Sequence, residues 1–503
     1  MKSKQITMSL AAIVCLAISS CSLNHDPISE YSEKTIAAGE NDSIKYKTKL
    51  EMQTQYEALY NEITNSQEIW ALDYWVYTEV HADNAYGGNS SELSSLQNQT
   101  QDGINKNIER DWDGFLKQIN NANRIINHVD RVPDNDLSIQ ERKQWKAEAK
   151  IWRAWMLFEM VRLWGDVPIV TSETPNITAN NIEEIYHLLY PARKPISEVY
   201  AQVIEDLTDA IQENAAPNNN AESKFKLSKS VAHALLAKVY AEKPLRNYQK
   251  TIEYCSLVEQ QGFDLMPQYA DLFSINEAKT DVNNRHTKEA IFEIPFPQGS
   301  GNWITWMLGI DQCNPNSLYD WEKWIIPSRD LIEAFIQEGD STRKNESIIF
   351  AKPPWSTFYP ANNYPFMYKM RSRYNSIIKL RLADIILLKA EALVETGNLH
   401  EAAILVNRIR NRAQLPNLDS NTTSSKDKMA NAVLNERRLE LAFEGQRWFD
   451  LIRNDKAIET INALPSKDPI RNNMAAINND GLLLPIPQKQ LDMNPSLLQN
   501  KGY

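Results

Sequence analysis

Apolar residues recur along most of the chain at spacings of three and four, which is the period of an amphipathic α-helix. This pattern predicts helices over residues 50–63, 69–80 and 104–129. A further helix is predicted to begin at Asp136 or at Ser138, and for Ser138 the residue three positions later, Glu141, would be the partner in a capping box. It should run to Trp164 and end at Gly165, since glycine readily adopts the left-handed conformation that closes a helix.

Residues 230–261 and 382–412 each resemble a tetratricopeptide unit, which is a pair of antiparallel helices. In the second segment, Ala390, Gly397 and Ala402 place small residues where the two helices of a pair must touch. The two segments are far apart in the sequence, so we do not expect a continuous solenoid of repeats.

Residues 262–375 between these pairs have a different character. Proline, asparagine and aromatic residues become frequent, the helical period fades, and residues 290–294 are predicted to form a short strand. Residues 295–324 form a long irregular stretch, and an ordered loop of this length is usually functional. The chain is therefore predicted to be mainly α-helical, with tetratricopeptide-like helix pairs packed against a loop-rich region that has few short strands.

The first 20 residues have the parts of a secretory signal. A positive start is followed by a short apolar run over residues 8–18 and by two serines. Because Cys21 comes next, the segment resembles a bacterial lipobox, in which the cysteine is acylated before cleavage. An ordinary secretory signal with a cysteine near the cut is the alternative. We expect cleavage before Cys21, a lipid on that residue, and a polar tether over residues 21–45.

The length, charge and cysteine content of the chain limit the number of structural units, the kind of partner and the possible disulfide bonds. Removal of 20 residues would leave 483 of the 503, enough for two or three structural units. Acidic side chains (65) outnumber lysine and arginine (54), which argues against a nucleic-acid partner because phosphate binding requires a basic surface. Cys255 and Cys313 are the remaining cysteines of the body. Two unpaired thiols are the simpler interpretation, and a bridge between them stays open.

Three segments together resemble the SusD/RagB family, the starch-utilisation-type outer-membrane lipoproteins of Bacteroidetes. They are Trp152-Arg153-Ala154 leading to Leu163-Trp164-Gly165-Asp166-Val167-Pro168, the run from Asn435 through Glu444-Gly445-Gln446-Arg447-Trp448-Phe449-Asp450 to Arg453, and the ending Leu484-Pro485-Ile486-Pro487, Asn494-Pro495 and Gln499-Asn500-Lys501-Gly502-Tyr503. The resemblance covers nearly all of the chain after the signal.

The resemblance implies a SusD-like fold with an N-terminal part over residues 46–262 and a C-terminal part over residues 263–503. It also implies a location on the outer face of the outer membrane, where such lipoproteins cap a SusC-like TonB-dependent barrel. They capture an oligosaccharide, or in some relatives a peptide, and deliver it to the barrel. We therefore expect a non-catalytic, glycan-binding lipoprotein. Peptide capture is the alternative within the family, and a surface glycosidase is the alternative from another class.

The irregular stretch holds the best candidates for a glycan site. Sugars present apolar C–H faces that stack on flat rings, and hydroxyl groups that need polar partners. The residues that fit this chemistry are Asn302, Trp303, Trp306, Tyr319 and Trp321. The alternative for some of these rings is a place in the core. Trp355 and Tyr359 form a second candidate of the same kind, for which packing of the loop on the body is the alternative.

Residues 83–89 are predicted to form a loop, because glycine and asparagine are concentrated there. Asp83, Asn84 and Tyr86 would face a ligand if this loop borders the site, as the resemblance implies. A simple turn is the alternative.

Glu436, Glu440 and Glu444 stand four residues apart and would share one helix face. They are either an acid–base set or a packing element held by ion pairs, and we favour the second. The expected partners are arginines of the same segment, namely Arg437, Arg438 and Arg447. The sequence contains no HExxH, GxSxG, Walker A or GxGxxG motif and no histidine at metal-ligand spacing, so it predicts neither a cofactor nor a metal site.

Overall fold

The computed structural model describes residues 44–88, 90–173, 181–219, 224–314 and 319–503. The predicted signal, Cys21 and most of the predicted tether lie outside these residues. Within them, the protein is mainly α-helical with short antiparallel strand pairs, which confirms the predicted fold class.

The longer predicted helices of the N-terminal part begin close to where the sequence pattern places them, but the helices over residues 91–97, 182–189 and 196–211 were not predicted. The helices of this part follow in chain order. They are α1 (Lys49–Asn65), α2 (Asp73–Trp75), α3 (Ser91–Gln97), α4 (Lys106–His128), α5 (Ile139–Trp164), α6 (Ile182–Leu189), α7 (Ile196–Ile211), α8 (Lys229–Ala241) and α9 (Tyr248–Glu259).

The C-terminal part mixes short helices with the strands. Its helices are α10 (Ile304–Leu308), α11 (Arg329–Glu338), α12 (Ser341–Ser347), α13 (Leu382–Glu395), α14 (Leu399–Arg412), α15 (Ser420–Thr423), α16 (Lys426–Glu440), α17 (Arg447–Arg453), α18 (Ala457–Lys467) and α19 (Gln488–Met493). The strands are β1 (Ala85–Gly87), β2 (Ala290–Ile294), β3 (Ile325–Pro327), β4 (Ile348–Ala351), β5 (Tyr364–Met367) and β6 (Ile377–Arg381).

Local chemistry fixes the ends of the longest helix. The Ser138 hydroxyl accepts a hydrogen bond from the Glu141 backbone nitrogen, and the Glu141 carboxylate accepts one from the Ser138 backbone nitrogen. Gly165 ends α5 with a φ of +74°, a conformation that other residues rarely adopt. Both predictions are confirmed.

Antiparallel helix pairs form the body of the molecule. α4 packs on α5, α5 on α7, and α8 on α9. The series continues because α9 packs on α13, which also contacts α14 and α16. The pairs α8–α9 and α13–α14 are the predicted tetratricopeptide-like units, and both are confirmed.

The helix predicted over residues 69–80 is present but irregular. Two π-helical turns, Glu68–Leu72 and Val76–Val80, lie on either side of α2. A π turn accommodates one extra residue, and such turns often occur next to functional sites. The second turn leads directly into the segment that carries Asp83 and β1.

The strands pair at long range and position the loop-rich region. β1 pairs with β3, joining Tyr86 to Ile326, and β4 pairs with β5. β2, the strand predicted over residues 290–294, pairs with β6. The β1–β3 pair therefore brings the Asp83 segment beside the chain that follows the aromatic stretch.

Three apolar clusters form among the described residues. One consists of Tyr269, Leu272 and Phe273, and the other two lie beneath the helices and strands named above. The larger one runs through the helical body. The smaller one, which we call the aromatic core, lies under the loop-rich region and consists of Tyr86, Ile310, Ile326, Tyr364 and Phe366.

The three glutamates of α16 and the following turn form a buried ion-pair network, so the packing interpretation is confirmed. Glu440 is fully buried and pairs with Arg343, Arg381 and Arg412. Glu436 pairs with Arg343, and Glu444 pairs with Arg381. These arginines hold the pKa of Glu440 below its ordinary value, although burial alone would raise it.

The predicted partners within the same segment were wrong. Arg437 pairs with Asp384 and Asp450, whereas Arg438 and Arg447 bind Asp83. The segment is buried among several elements, so its side chains meet charges from other parts of the chain. Pairing along one helix face is a feature of solvent-exposed helices.

The two body cysteines are unpaired thiols, as favoured from the sequence; Cys255 is buried and Cys313 is half-buried. In the part of the chain that the structure describes, every helix is too short or too polar to cross a bilayer. Among the same residues, no cluster of three histidine, cysteine, aspartate or glutamate side chains is placed to hold a metal ion.

Candidate functional site

Three tryptophans form an exposed aromatic surface, which we call the tryptophan platform. Trp303 and Trp306 are 40% and 52% exposed, values unusual for rings of this size in a folded chain. Trp321 is half-buried, and its ring centroid lies 4.8 Å from that of Trp306 at an interplanar angle of 43°. Trp303 precedes Trp306 by three residues at the start of the same short helical segment, which places their side chains on neighbouring positions of one face. The structure thus brings Trp306 and Trp321 into ring contact and holds Trp303 beside Trp306.

The platform stands on α10, a short helix that the sequence pattern did not predict. Asn302 donates from its side-chain nitrogen to the carbonyl oxygens of Arg373 and Asn375, each at 2.9 Å. Its side-chain oxygen accepts from the Thr305 backbone nitrogen and hydroxyl. Asn302 is therefore a buried anchor of the platform, and it does not occupy the exposed, ligand-facing position that the sequence suggested.

Gly309 allows α10 to lie directly against the neighbouring chain. A Cβ atom at this position would stand 1.9 Å from the Met370 carbonyl oxygen, which no side chain tolerates. The next backbone nitrogen, that of Ile310, donates to the same oxygen at 3.0 Å. The close approach therefore requires glycine.

Lys323 lies buried under the platform and was not identified from the sequence. Its Nζ donates to the Trp306 carbonyl oxygen at 2.8 Å and lies 5.0 Å from the centroid of the Trp321 ring. Burial lowers the pKa of Lys323 to about 8, and the nearby carboxylates of Asp320 and Asp311 only partly oppose this. The Lys323 side chain thus contacts both the Trp306 main chain and the Trp321 ring. Lysine is almost never fully buried, so no sequence pattern would have indicated it.

Charged side chains border the platform. Arg373 is partly exposed and pairs with Asp311 at 2.6 Å, and its aliphatic part packs over Gly301. Asp320 is exposed next to Trp321. The surface therefore combines flat apolar rings with hydrogen-bonding groups at its edge. The rings match the apolar C–H faces of a sugar, and the polar edge matches its hydroxyl groups.

The other candidate rings lie on the aromatic core. Tyr319, Trp355 and Tyr359 are half-buried and pack against it. The Trp355 indole nitrogen donates to the Tyr319 carbonyl oxygen at 2.8 Å, and the Tyr359 hydroxyl donates to the Pro327 carbonyl oxygen at 2.8 Å. These three rings hold the loops together and are not part of the tryptophan platform.

The segment 83–86 is not the exposed loop that the sequence suggested, because all of its side chains are buried. Asp83 forms two hydrogen bonds of 2.7 Å with Arg447, and Asn84 accepts one from Arg438. Tyr86 packs in the aromatic core and donates to Asp468. Burial would raise the pKa of Asp83, but Arg438 and Arg447 hold it well below its ordinary value.

A second concave surface borders α11, and we call it the α11 groove. It has a volume of about 1080 Å³. Asp83, Arg438 and Arg447 contribute to it, as does Tyr359. None of the three platform tryptophans lines it, so it is a separate surface.

Two family models match the chain. The model of the SusD family matches residues 355–503, and a model described as "Starch-binding associating with outer membrane" matches residues 33–241. The first match lies in the C-terminal half of the chain and the second in the N-terminal half, and residues 242–354 lie between them.

Individual relatives agree with these matches. SusD-like protein P38 of Formosa agariphila is 27% identical to this chain, and the comparison covers 100% of both chains. A SusD superfamily protein from Bacteroides vulgatus has the same fold, with a TM-score of 0.73 and 19% identity over 90% of this chain and 99% of that one. Surface glycan-binding protein A of Bacteroides thetaiotaomicron, solved in complex with laminarihexaose, also has a TM-score of 0.73, with 19% identity over 90% of this chain and 100% of that one.

These matches confirm the resemblance that the three sequence segments indicated. The chain belongs to the SusD/RagB family of non-catalytic, glycan-binding proteins.

Proposed function

We propose that this protein captures an oligosaccharide at the cell surface on the tryptophan platform and delivers it to a SusC-like TonB-dependent barrel. The observation that carries the proposal is the exposure of Trp303 and Trp306 beside the Trp321 ring. Exposed large rings are costly to solvate, and a contiguous aromatic patch on a soluble body usually marks a binding surface.

The geometry of the platform favours a ligand with flat apolar faces. Trp306 is fixed through α10, and Lys323 restrains the main chain of Trp306 while its ammonium group lies against Trp321. Rings that are held in place before a ligand arrives lose little conformational entropy on binding. The Trp321 indole nitrogen is buried and has no acceptor among the described residues.

Gel retardation against a panel of neutral polysaccharides tests the capture step. The panel includes laminarin, because a relative of the same fold is in complex with laminarihexaose. We expect one member to retard the native protein, and Trp306→Ala to weaken this binding by about tenfold, since stacking on an aromatic ring contributes roughly 1–2 kcal/mol.

The matched control is Tyr186→Ala, which removes another exposed aromatic ring from α6, outside the platform. It should bind like the native protein. If the native protein ignores every glycan and binds peptides, the carbohydrate part of the proposal is wrong.

We also propose that Cys21 carries the lipid that attaches the protein to the outer membrane, facing the cell exterior. The support is the lipobox-like sequence before it and the description of the matching family model, which names an association with the outer membrane. Labelled palmitate should be incorporated into the native protein and not into Cys21→Ala. Detergent extracts of outer membranes should yield the barrel together with the native protein, and repeated isolation of the protein alone would contradict the partnership.

A further inference from the structure

The α11 groove has the size and shape of a ligand site. Its volume of about 1080 Å³ lies at the upper end of the range of roughly 300–1,000 Å³ that is typical of small-molecule sites. Helix α11 forms one wall and α18 contributes to another. A groove of this volume takes an extended ligand of several units.

The floor of the groove is charged, but its charges are paired with one another. Asp83 binds Arg447, and Arg438 binds Asp330 at 2.6 Å. Asp83 and the two arginines are more than nine-tenths buried. The apolar side chains of Ile332, Ile336 and Leu464 also line the groove, and the exposed side chains of Glu333 and Lys467 lie at it. Because the buried charges of the floor already have partners, the floor does not call for a strongly charged ligand.

Two aromatic rings line the groove. Phe350, on β4, is 40% exposed. The Tyr359 ring is held by the hydrogen bond from its hydroxyl to Pro327 and by the Arg329 guanidinium, which lies 4.2 Å from the ring centroid. These rings offer flat apolar faces next to a polar floor.

Neutral polar side chains complete the lining. Asn363 is exposed, Thr460 is half-buried, and the Gln337 side chain donates to Glu333 at 3.0 Å. Amide and hydroxyl groups act as donor and acceptor at once, which suits a ligand that carries many hydroxyl groups.

We propose that the α11 groove is a second binding site for a neutral oligosaccharide, separate from the tryptophan platform. The inference rests on the proposed glycan capture for its ligand class and adds a site to it. Two sites on one chain would hold a polysaccharide more tightly than either alone, because the second contact forms at a high effective concentration.

Calorimetry with neutral hexasaccharides tests the second site. The probes are laminarihexaose, cellohexaose and maltohexaose, each titrated into the full chain and into Phe350→Ala, Asn363→Ala and Trp306→Ala. We expect the native protein to take up two molecules of one hexasaccharide per chain, and either groove variant to lose about tenfold in affinity at one of these sites. Trp306→Ala should weaken the other site alone.

Ile404→Ala on α14 is the matched control, because it truncates an exposed apolar side chain that lies outside both sites. It should behave like the native protein. Phe350 and Asn363 are both exposed, so either substitution should leave the fold intact. If one of the two groove variants unfolds at a lower temperature than the native protein, the other variant is used for the test.

The possible results separate the two proposals. A stoichiometry of one, lost in Trp306→Ala and unchanged in both groove variants, overturns the second site and leaves the platform standing. An absence of binding to all glycans overturns both. One bound molecule lost in the groove variants alone supports the groove and overturns the assignment of the platform.

Discussion

Single buried charges decide much of the stability of the C-terminal part. Asp83 illustrates this, because its carboxylate joins the N-terminal segment to two arginines more than 350 positions later in the chain. The glycine and asparagine residues after Asp83 predicted an exposed loop near a ligand. The same local pattern also occurs in a buried segment, and the arginines that bury Asp83 come from distant elements, so its burial was not predictable from the local sequence.

Asp83→Asn should lower the free energy of unfolding by about 3–5 kcal/mol, because it leaves Arg447 buried without a carboxylate partner and removes one of the two carboxylates that pair with Arg438. Urea unfolding at pH 7 measures the loss. The matched control is Asp130→Asn, which removes an exposed partner of Lys146 and should cost less than about 1 kcal/mol. Equal losses of unfolding free energy in the two variants would show that the buried ion pair contributes no more to stability than the exposed one.

Glu79 should make stability depend on pH. It is fully buried and accepts hydrogen bonds from Asn84 and from the Gly445 backbone nitrogen, and burial raises its pKa from 4.5 to about 7. A group whose pKa is raised in the folded state stabilises the protein below its unfolded pKa, and this stability is lost as the pH rises through the folded value.

Relative to the native protein, Glu79→Gln should therefore gain stability between about pH 4.5 and pH 7, by up to roughly 3 kcal/mol. Unfolding in urea at pH 5, 6, 7 and 8 gives the difference between the two proteins. A difference that stays constant over this range would mean that Glu79 does not titrate there.

The elements were predictable to the extent that their signals are local. The capping box of Ser138 and Glu141, the glycine at position 165 and the apolar period along α4 all depend on residues close in sequence, and all three predictions hold. The π turns and α10 were missed. Helix α10 has only five residues, and distant hydrogen bonds from Asn302 and Thr305 to the 372–375 segment hold it in place.

Gly309→Ala should disrupt the platform, since the new Cβ would clash with the backbone at Met370. We expect a loss of roughly 1–3 kcal/mol in unfolding free energy, together with weaker glycan binding. Thermal unfolding and gel retardation measure the two effects. Gly481→Ala is the control, because its Cβ would meet Ile477 at an ordinary 3.4 Å and should change neither. Native behaviour of Gly309→Ala would contradict the close packing of α10.

At the scale of the whole molecule, three short sequence segments predicted the family, and the helix pairs followed from their periodicity. Exposure of the candidate rings was predicted only in part. Aromatic richness pointed to a stretch in which Trp303 and Trp306 are exposed, but Tyr319 and Trp355, chosen on the same composition, lie on the aromatic core. Exposure is a property of the packed chain, and composition alone does not separate a binding ring from a core ring.

A crystal structure of the protein with the oligosaccharide that binds best is the most direct test of glycan capture. We expect a sugar ring stacked on the Trp306–Trp321 pair, with hydroxyl groups near the charged edge of the platform. A sugar bound elsewhere while the platform tryptophans stay uncovered would contradict it.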